Sequence, residues 1–92
     1  MISYAQMPQH EFDCKLRACK TSKEVQQLIN AIRSEAASVR EARDAKLRVI
    51  IQGNNSVRNV MELTRLNINL TRLNGRDGDA TIRLRIVTLQ GC

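Results

Sequence analysis

The sequence predicts an α+β fold in which one long helix packs on one face of a four-stranded, mostly antiparallel sheet. Apolar residues alternate with charged ones in "EFDCKLRACK" and again in "DATIRLRIVTLQ", and this period of two is typical of half-buried strands. Between them, from Val25 to Val39, apolar residues recur at helical spacing. The order is strand, helix, strand, strand, strand, and two such layers around one aliphatic core are a common architecture.

The first two elements follow from local patterns. A strand is predicted over residues 11–19, and residues 1–10 before it carry no clear signal for any element. Thr21 and Glu24 have the spacing of a capping box, which satisfies free backbone N–H groups at a helix start. The helix is predicted from about Ser22 to Arg43 with one apolar stripe for the core, formed by Val25, Leu28, Ile29, Ile32, Ala36 and Val39.

The middle of the chain is predicted to form a hairpin. Residues 47–52, "LRVIIQ", are rich in β-branched side chains and indicate a strand. Residues 53–55, "GNN", suit a hairpin loop because Gly and Asn tolerate positive φ. The next segment, residues 57–73, admits two interpretations. A strand is preferred for its alternating Leu66, Ile68 and Leu70, with a bulge near Thr64; a helix over residues 56–64 is the alternative.

The last two elements complete the sheet. Residues 74–79, "NGRDGD", form a cluster of turn residues, and a final strand is predicted over residues 81–86. The helix and the inner sheet face would then share an aliphatic core, whose predicted members are Phe12, Leu16, Val25, Leu28, Ile32, Val49, Ile51, Leu66, Ile68, Ile82, Leu84 and Ile86.

Composition favours a single domain over residues 1–92 with an anionic partner. Hydrophobic residues make up 42% of the chain and aromatic ones 2%, so the core must be aliphatic. The net charge is +6, from 15 basic and 9 acidic residues. Most of it lies in residues 46–92, where basic residues far outnumber acidic ones. Such an excess favours binding to nucleic acid or to an acidic protein.

The predicted sheet leaves one face open, and its outward positions are basic or amide side chains. Clustered guanidinium groups repel each other, a cost that an ordinary solubility face avoids by interspersing acids. The sequence therefore predicts a binding surface, with an ordinary solvated face as the alternative. Its predicted residues are Arg48, Arg65, Asn67, Asn69, Arg83 and Arg85.

Patterns for catalysis and for metal binding are lacking. The single histidine, His10, has no nucleophile motif beside it, so an enzyme is not expected. Asp77 and Asp79 lie in a glycine-rich turn that lacks the closing Glu of a calcium loop. The possible zinc ligands do not have paired spacing, so neither a metal nor a cofactor is predicted; these ligands are His10, Cys14, Cys19 and Cys92.

Cysteine usage and hydropathy predict a cytoplasmic protein. Three cysteines are an odd number, and free thiols suit a reducing compartment. The N-terminal "MISYAQMPQH" does not resemble a secretory signal, and no segment has the ~20 apolar residues of a membrane span. Because the open face offers no aromatic side chain for base stacking, contact with phosphate or with an acidic protein is expected there.

In size and layout, with its charged open sheet and no catalytic set, the chain resembles small phage-encoded anti-CRISPR proteins, nearest to inhibitors of type I-F surveillance complexes. "DATIRLRIVTLQ" and "EFDCKLRACK" support that sheet; the resemblance covers the whole chain and includes no diagnostic motif. It implies a stoichiometric inhibitor in the host cytoplasm that docks on Cas subunits and guide RNA and blocks target DNA binding. The alternatives are a stand-alone nucleic-acid-binding regulator and a structural protein that self-assembles through sheet edges.

Overall fold

The computed structural model describes residues 3–90, and within that range the chain forms three helices and no strand. They are α1 (Gln9–Ala18), α2 (Ser22–Ile51) and α3 (Val57–Leu89). The predicted α+β fold is therefore wrong, and the fold is all-helical. The four predicted strands all coincide with helical backbone, at residues 11–19, 47–52, 57–73 and 81–86, apart from a few residues at their ends.

Helix α1 shows why alternation was misleading. Phe12 and Leu16 are four residues apart, so they share a face in a strand and in a helix alike, and both are buried. Cys14 and Ala18 distinguish a strand from a helix, because in a strand they would be buried on the same face as Phe12. Both are exposed, and the apolar face continues instead to Cys19, which is buried.

Helix α2 begins where the sequence predicts. The Thr21 hydroxyl accepts a hydrogen bond from the Glu24 N–H at 3.2 Å, and the Glu24 carboxylate accepts one from the Lys20 N–H at 3.4 Å. These reciprocal bonds stabilise the first turn. The helix continues past the predicted end at Arg43 to Ile51, because residues 44–51 contain neither Gly nor Pro and the ladder of hydrogen bonds meets no break.

A tight loop reverses the chain between α2 and α3. Gly53 adopts φ 103°, its N–H donates to the Ile50 carbonyl at 3.1 Å, and the Asn54 N–H donates to the Val49 carbonyl at 3.2 Å. This is the Schellman pattern that ends many helices. Ser56 then caps α3 by accepting from the Asn59 N–H at 3.3 Å. The loop predicted at residues 53–55 is correctly placed, but it joins two helices.

Helix α3 runs through the predicted bulge, the predicted turn and the last predicted strand. The helix considered as the alternative for residues 56–64 is correct and extends to Leu89. Its inward residues are spaced three, four or seven apart, and they include Leu73, Ala80 and Val87, all buried. Ile82 and Ile86, by contrast, are exposed. The alternation of Ile82, Leu84 and Ile86 arose because both the inner and the outer faces of this helix carry apolar residues.

Two glycines stand inside α3 without a packing reason. A Cβ atom added at Gly75 or at Gly78 would meet no other atom within 4 Å. Glycine is about 1 kcal/mol less favourable than alanine within a helix. We expect the Gly75→Ala plus Gly78→Ala protein to gain about 1–2 kcal/mol in free energy of unfolding, measured by chemical denaturation.

The control for this substitution is Gly53→Ala, at the one glycine of the described residues with positive φ. Alanine is strained in that conformation, so Gly53→Ala should lower the stability. A loss of stability in the Gly75→Ala plus Gly78→Ala protein would contradict a continuous α3 and would support a turn at residues 74–79.

The N-terminal segment is tied to both long helices. The Glu35 carboxylate of α2 accepts hydrogen bonds from the Ser3 hydroxyl at 2.7 Å and from the Tyr4 and Ala5 N–H groups at 2.8 and 3.2 Å. From α3, Arg76 donates to the Tyr4 carbonyl. These bonds hold residues 3–5 against both long helices.

The molecule measures 55 × 20 × 20 Å, and its buried residues all lie toward one end. We call residues 3–36 and 70–90 the base, because they contain every buried residue of the described chain. We call residues 37–69 the arm; it is an extension of α2 and α3 in which no residue is buried. The fold is thus a long helical hairpin with α1 packed only at the base.

The predicted core is buried in α1 and in the base part of α2, but not in the arm or in the base part of α3. Five of its members are buried: Phe12, Leu16, Val25, Leu28 and Ile32. Val49, Leu66 and Leu84 are half-buried, whereas Ile51, Ile68, Ile82 and Ile86 are exposed. No helix in residues 3–90 combines the length and the apolar character that crossing a membrane requires.

Candidate docking surface

The predicted binding residues do not share one face. Arg65 and Arg85 are exposed on α3, but twenty residues of helix separate them by ~30 Å. Arg48 is exposed in the last turn of α2, and Asn67 is exposed on α3. The common sheet face that was predicted to unite these side chains is therefore wrong; whether each one binds a partner stays a prediction.

Two of the predicted binding residues instead make contacts with the N-terminal part of the chain. The Arg83 guanidinium donates to the Cys19 carbonyl at 3.1 Å, which joins α3 to the turn between α1 and α2, and the Arg83 Nε atom is buried. The Asn69 side chain accepts from the Gln6 amide at 3.3 Å. Replacing Arg83 would therefore disturb folding as well as any binding.

The polar groups of the base pair with one another, and those of residues 3–90 form no metal-holding group. Asp77 is paired with Arg33 at 3.0 Å, and this hydrogen bond and charge raise the pKa of Arg33. Burial, followed by the charge of Glu24, raises the pKa of the Cys19 thiol. Among residues 3–90 no three His, Cys, Asp or Glu side chains are grouped closely enough to hold a metal ion. Cys92, one of the possible zinc ligands, lies outside the described residues.

An ion pair joins the two helices of the arm. The Lys46 ammonium lies 2.7 Å from the Glu62 carboxylate and 3.4 Å from the Asn59 side-chain oxygen. The hydrogen bond and the charge of Lys46 lower the pKa of Glu62. Around this pair, the half-buried apolar residues are Val49, Ile50, Leu63 and Leu66. Glu62 therefore lies at the border between the α2-facing side and the outer side of α3, and its charge is compensated by Lys46 and by Arg58.

The outer side of α3 in the arm carries exposed apolar side chains in a line. Val57, Met61 and Ile68 are 75%, 66% and 48% exposed, and Thr64 lies between the last two. Spacings of four, three and four residues place all four on one face of a helix. That face lies opposite the side of α3 that meets α2. We call Val57, Met61, Thr64 and Ile68 the apolar stripe.

Three arginines run beside the apolar stripe along one flank. Arg58, Arg65 and Arg72 are seven residues apart. Neighbouring arginines therefore differ by only ~20° around the helix axis and are separated by ~10.5 Å along it, so the three form a row. All three are exposed. We call them the arginine row. The opposite flank of the stripe carries uncharged residues at the same repeat, namely Val60, Asn67 and Asn74.

A shallow groove of about 720 Å³ lies along this surface. It is lined by the apolar stripe, by Val60, and by the side chains of Arg58, Glu62 and Arg65. Apolar side chains gain free energy when water is removed from them, and guanidinium groups attract carboxylates or phosphates. The surface combines these two properties, which suit the binding of a partner, and we treat it as the candidate functional site.

Sequence reasoning missed most of this surface. It selected Arg65 but not Arg58 or Arg72, and it assigned Ile68 to the core. The signal was present as the seven-residue repeat of arginines in residues 58–72. Residues seven apart lie on the same face of a helix but on opposite faces of a strand. The strand interpretation of residues 57–73 therefore did not reveal this row.

Comparison of the chain with protein-family models, with curated proteins and with solved structures gives no match.

Proposed function

We propose that this chain is a non-enzymatic binding protein that docks onto another protein through the outer side of α3 in its arm. The observation that carries the proposal is the exposed apolar stripe, which has no covering element in residues 3–90. Monomeric proteins seldom leave a contiguous apolar patch in water unless it serves an interaction. The mixture of apolar and arginine side chains also matches the composition of protein interfaces, where Met and Arg are enriched and Lys and Glu depleted.

The anti-CRISPR function stays a more specific proposal of the same kind. The resemblance relied on an open sheet, which residues 3–90 do not contain. What remains of it is the name of one candidate partner, a type I-F surveillance complex. The stand-alone nucleic-acid-binding regulator is the second candidate, and the arginine row favours it, since each arginine that neutralises a phosphate releases counterions and makes binding steeply salt-dependent.

The test compares two variants that remove equal numbers of exposed apolar side chains from α3. Met61→Ser plus Ile68→Ser alters the apolar stripe, and Ile82→Ser plus Leu89→Ser alters the base at residues that are 60% and 87% exposed. Each protein is immobilised and offered a lysate of the source organism and, separately, a purified type I-F complex. Retained partners are identified and then purified for measurement of Kd and stoichiometry.

A nuclease-resistant 1:1 complex that the stripe variant loses and the base variant keeps is the expected result. Equal retention by both variants would contradict a role for the stripe. A nucleic acid retained by all three proteins would instead support the second candidate, and its salt dependence would be measured by fluorescence anisotropy.

A further inference from the structure

We propose that the apolar stripe and the arginine row together bind an amphipathic helix of the partner protein, with Asp or Glu repeated every seven residues along one of its flanks. This inference rests on the proposed function and names the kind of segment that the docking surface recognises. It uses three observations: the spacing of the stripe, the spacing of the row, and the unequal charge of the two flanks.

The spacings favour a helix as the occupant. The stripe positions are spaced four, three and four apart, and three of the four are apolar, with the Thr64 hydroxyl donating to the Val60 carbonyl of its own helix. Such a seam is one that a second helix can pack against at a crossing angle of ~20°, keeping the contacts in register. Neighbouring arginines of the row are ~10.5 Å apart, which is also the separation of acids seven residues apart in a helix. Residues on one face of a strand recur at ~6.7 Å and ~13 Å, so a strand would miss every second arginine.

The charges favour an acidic flank on that helix. Between Val57 and Arg72 the only acidic residue of α3 is Glu62, and its carboxylate is held by Lys46 at 2.7 Å. Arg58 lies 3.5 Å from Glu62, whereas Arg65 and Arg72 make no ion pair within residues 3–90. Because the other flank is uncharged, only one flank of the partner helix needs acids.

A second copy of this chain and a nucleic acid fit less well. Two copies joined antiparallel through this surface would bring two arginine rows together, and like charges held close across an interface repel. A parallel pair would place each arginine row against the uncharged flank of the other copy, where it gains no ion pair. A nucleic acid would pair its phosphates with the arginines but would leave Val57, Met61 and Ile68 without an apolar surface to cover them. Both remain as outcomes of the experiment.

The probes are synthetic helical peptides of three heptads, shown to be monomeric by sedimentation. Two of them carry leucines at the stripe spacing and Glu every seven residues along one flank. The two peptides differ in which flank carries the Glu residues, because parallel and antiparallel docking require acids on opposite flanks. Two more carry Lys in place of Glu. The whole chain is titrated with each peptide by fluorescence anisotropy, as wild type and as Arg65→Glu plus Arg72→Glu, with Arg17→Glu plus Arg40→Glu as a charge-matched control at other exposed arginines.

We expect one Glu peptide to bind the wild type, and the Arg65→Glu plus Arg72→Glu change to weaken that binding at least ~10-fold through two reversed ion pairs. The corresponding Lys peptide should bind this variant and recover most of the lost affinity. The control variant should keep the wild-type Kd within ~3-fold, since distant surface charges are screened by salt.

Other results would overturn the inference: no binding of either Glu peptide, equal weakening in both charge variants, or no recovery with Lys. So would dimerisation that the Met61→Ser plus Ile68→Ser change abolishes, or tighter binding of a single-stranded oligonucleotide through the arginine row. If the charge variants are without effect while the stripe variant loses the native partner, the helix inference fails and the proposed function stands. If the stripe variant keeps that partner, the proposed function itself fails.

Discussion

Replacing Leu28 with alanine is expected to lower the free energy of unfolding by about 2–5 kcal/mol, because the leucine is buried in the base and a cavity would remain. Leu47 offers a matched control, since it is also a leucine of α2 but lies in the arm. Leu28 is 5% exposed and Leu47 is 41% exposed. We expect Leu47→Ala to cost under ~1 kcal/mol.

Chemical denaturation of the two variants measures this difference directly, and alanine favours helix at both positions, so helix propensity cannot explain it. Ile68→Ala belongs with Leu47→Ala, because Ile68 is exposed in the helix and not buried in a sheet. Equal losses at Leu28 and Leu47 would mean that the arm shares the core of the base, contrary to the structure.

Replacing Arg76 with alanine is expected to cost about 2–4 kcal/mol, although arginines on helix surfaces are usually dispensable. Arg76 is 7% exposed, its guanidinium lies 5.3 Å from the centre of the Phe12 ring, and it donates to the Tyr4 carbonyl. The substitution would remove a charge-assisted hydrogen bond, a cation–π contact and the packing of the methylene chain at once.

The matched control is Arg85→Ala, at an exposed arginine of the same helix, for which we expect a change within ~0.5 kcal/mol. Limited proteolysis provides a second measurement. The Arg76→Ala protein should be cut faster within residues 3–9, because the Tyr4 carbonyl loses its bond to α3. Equal stability of the two variants would indicate that the buried Arg76 side chain makes no net contribution to the free energy of unfolding.

The sequence predicted the start of α2, the apolar face that α2 buries and the position of the loop, because each depends on residues close in the chain. Thr21 and Glu24 form the predicted cap, and Gly53 supplies the positive φ that ends the helix. The fold class was mistaken because Phe12 and Leu16 fit either period, and because Gly75 and Gly78 interrupt what would otherwise be a clear helical pattern in α3.

The candidate site was harder to predict for a different physical reason. Exposed apolar residues such as Met61 and Ile68 look like core residues to any argument that places hydrophobic side chains inside. Only the packing of α3 against α2 shows which face is inward. Once that face is known, the arginine row and the apolar stripe follow from the numbering alone.

The lack of buried residues in the arm has a consequence for the order in which the molecule opens. The two helices of the arm are joined by the Lys46–Glu62 pair and by half-buried side chains, whereas the backbone hydrogen bonds of the base lie beside a packed core. Amide hydrogens in residues 37–69 should therefore exchange with solvent through local fraying, well before the base unfolds. A helix docked on the arm would slow that exchange and leave the base unchanged. The pattern of exchange along the hairpin would then record where the partner lies.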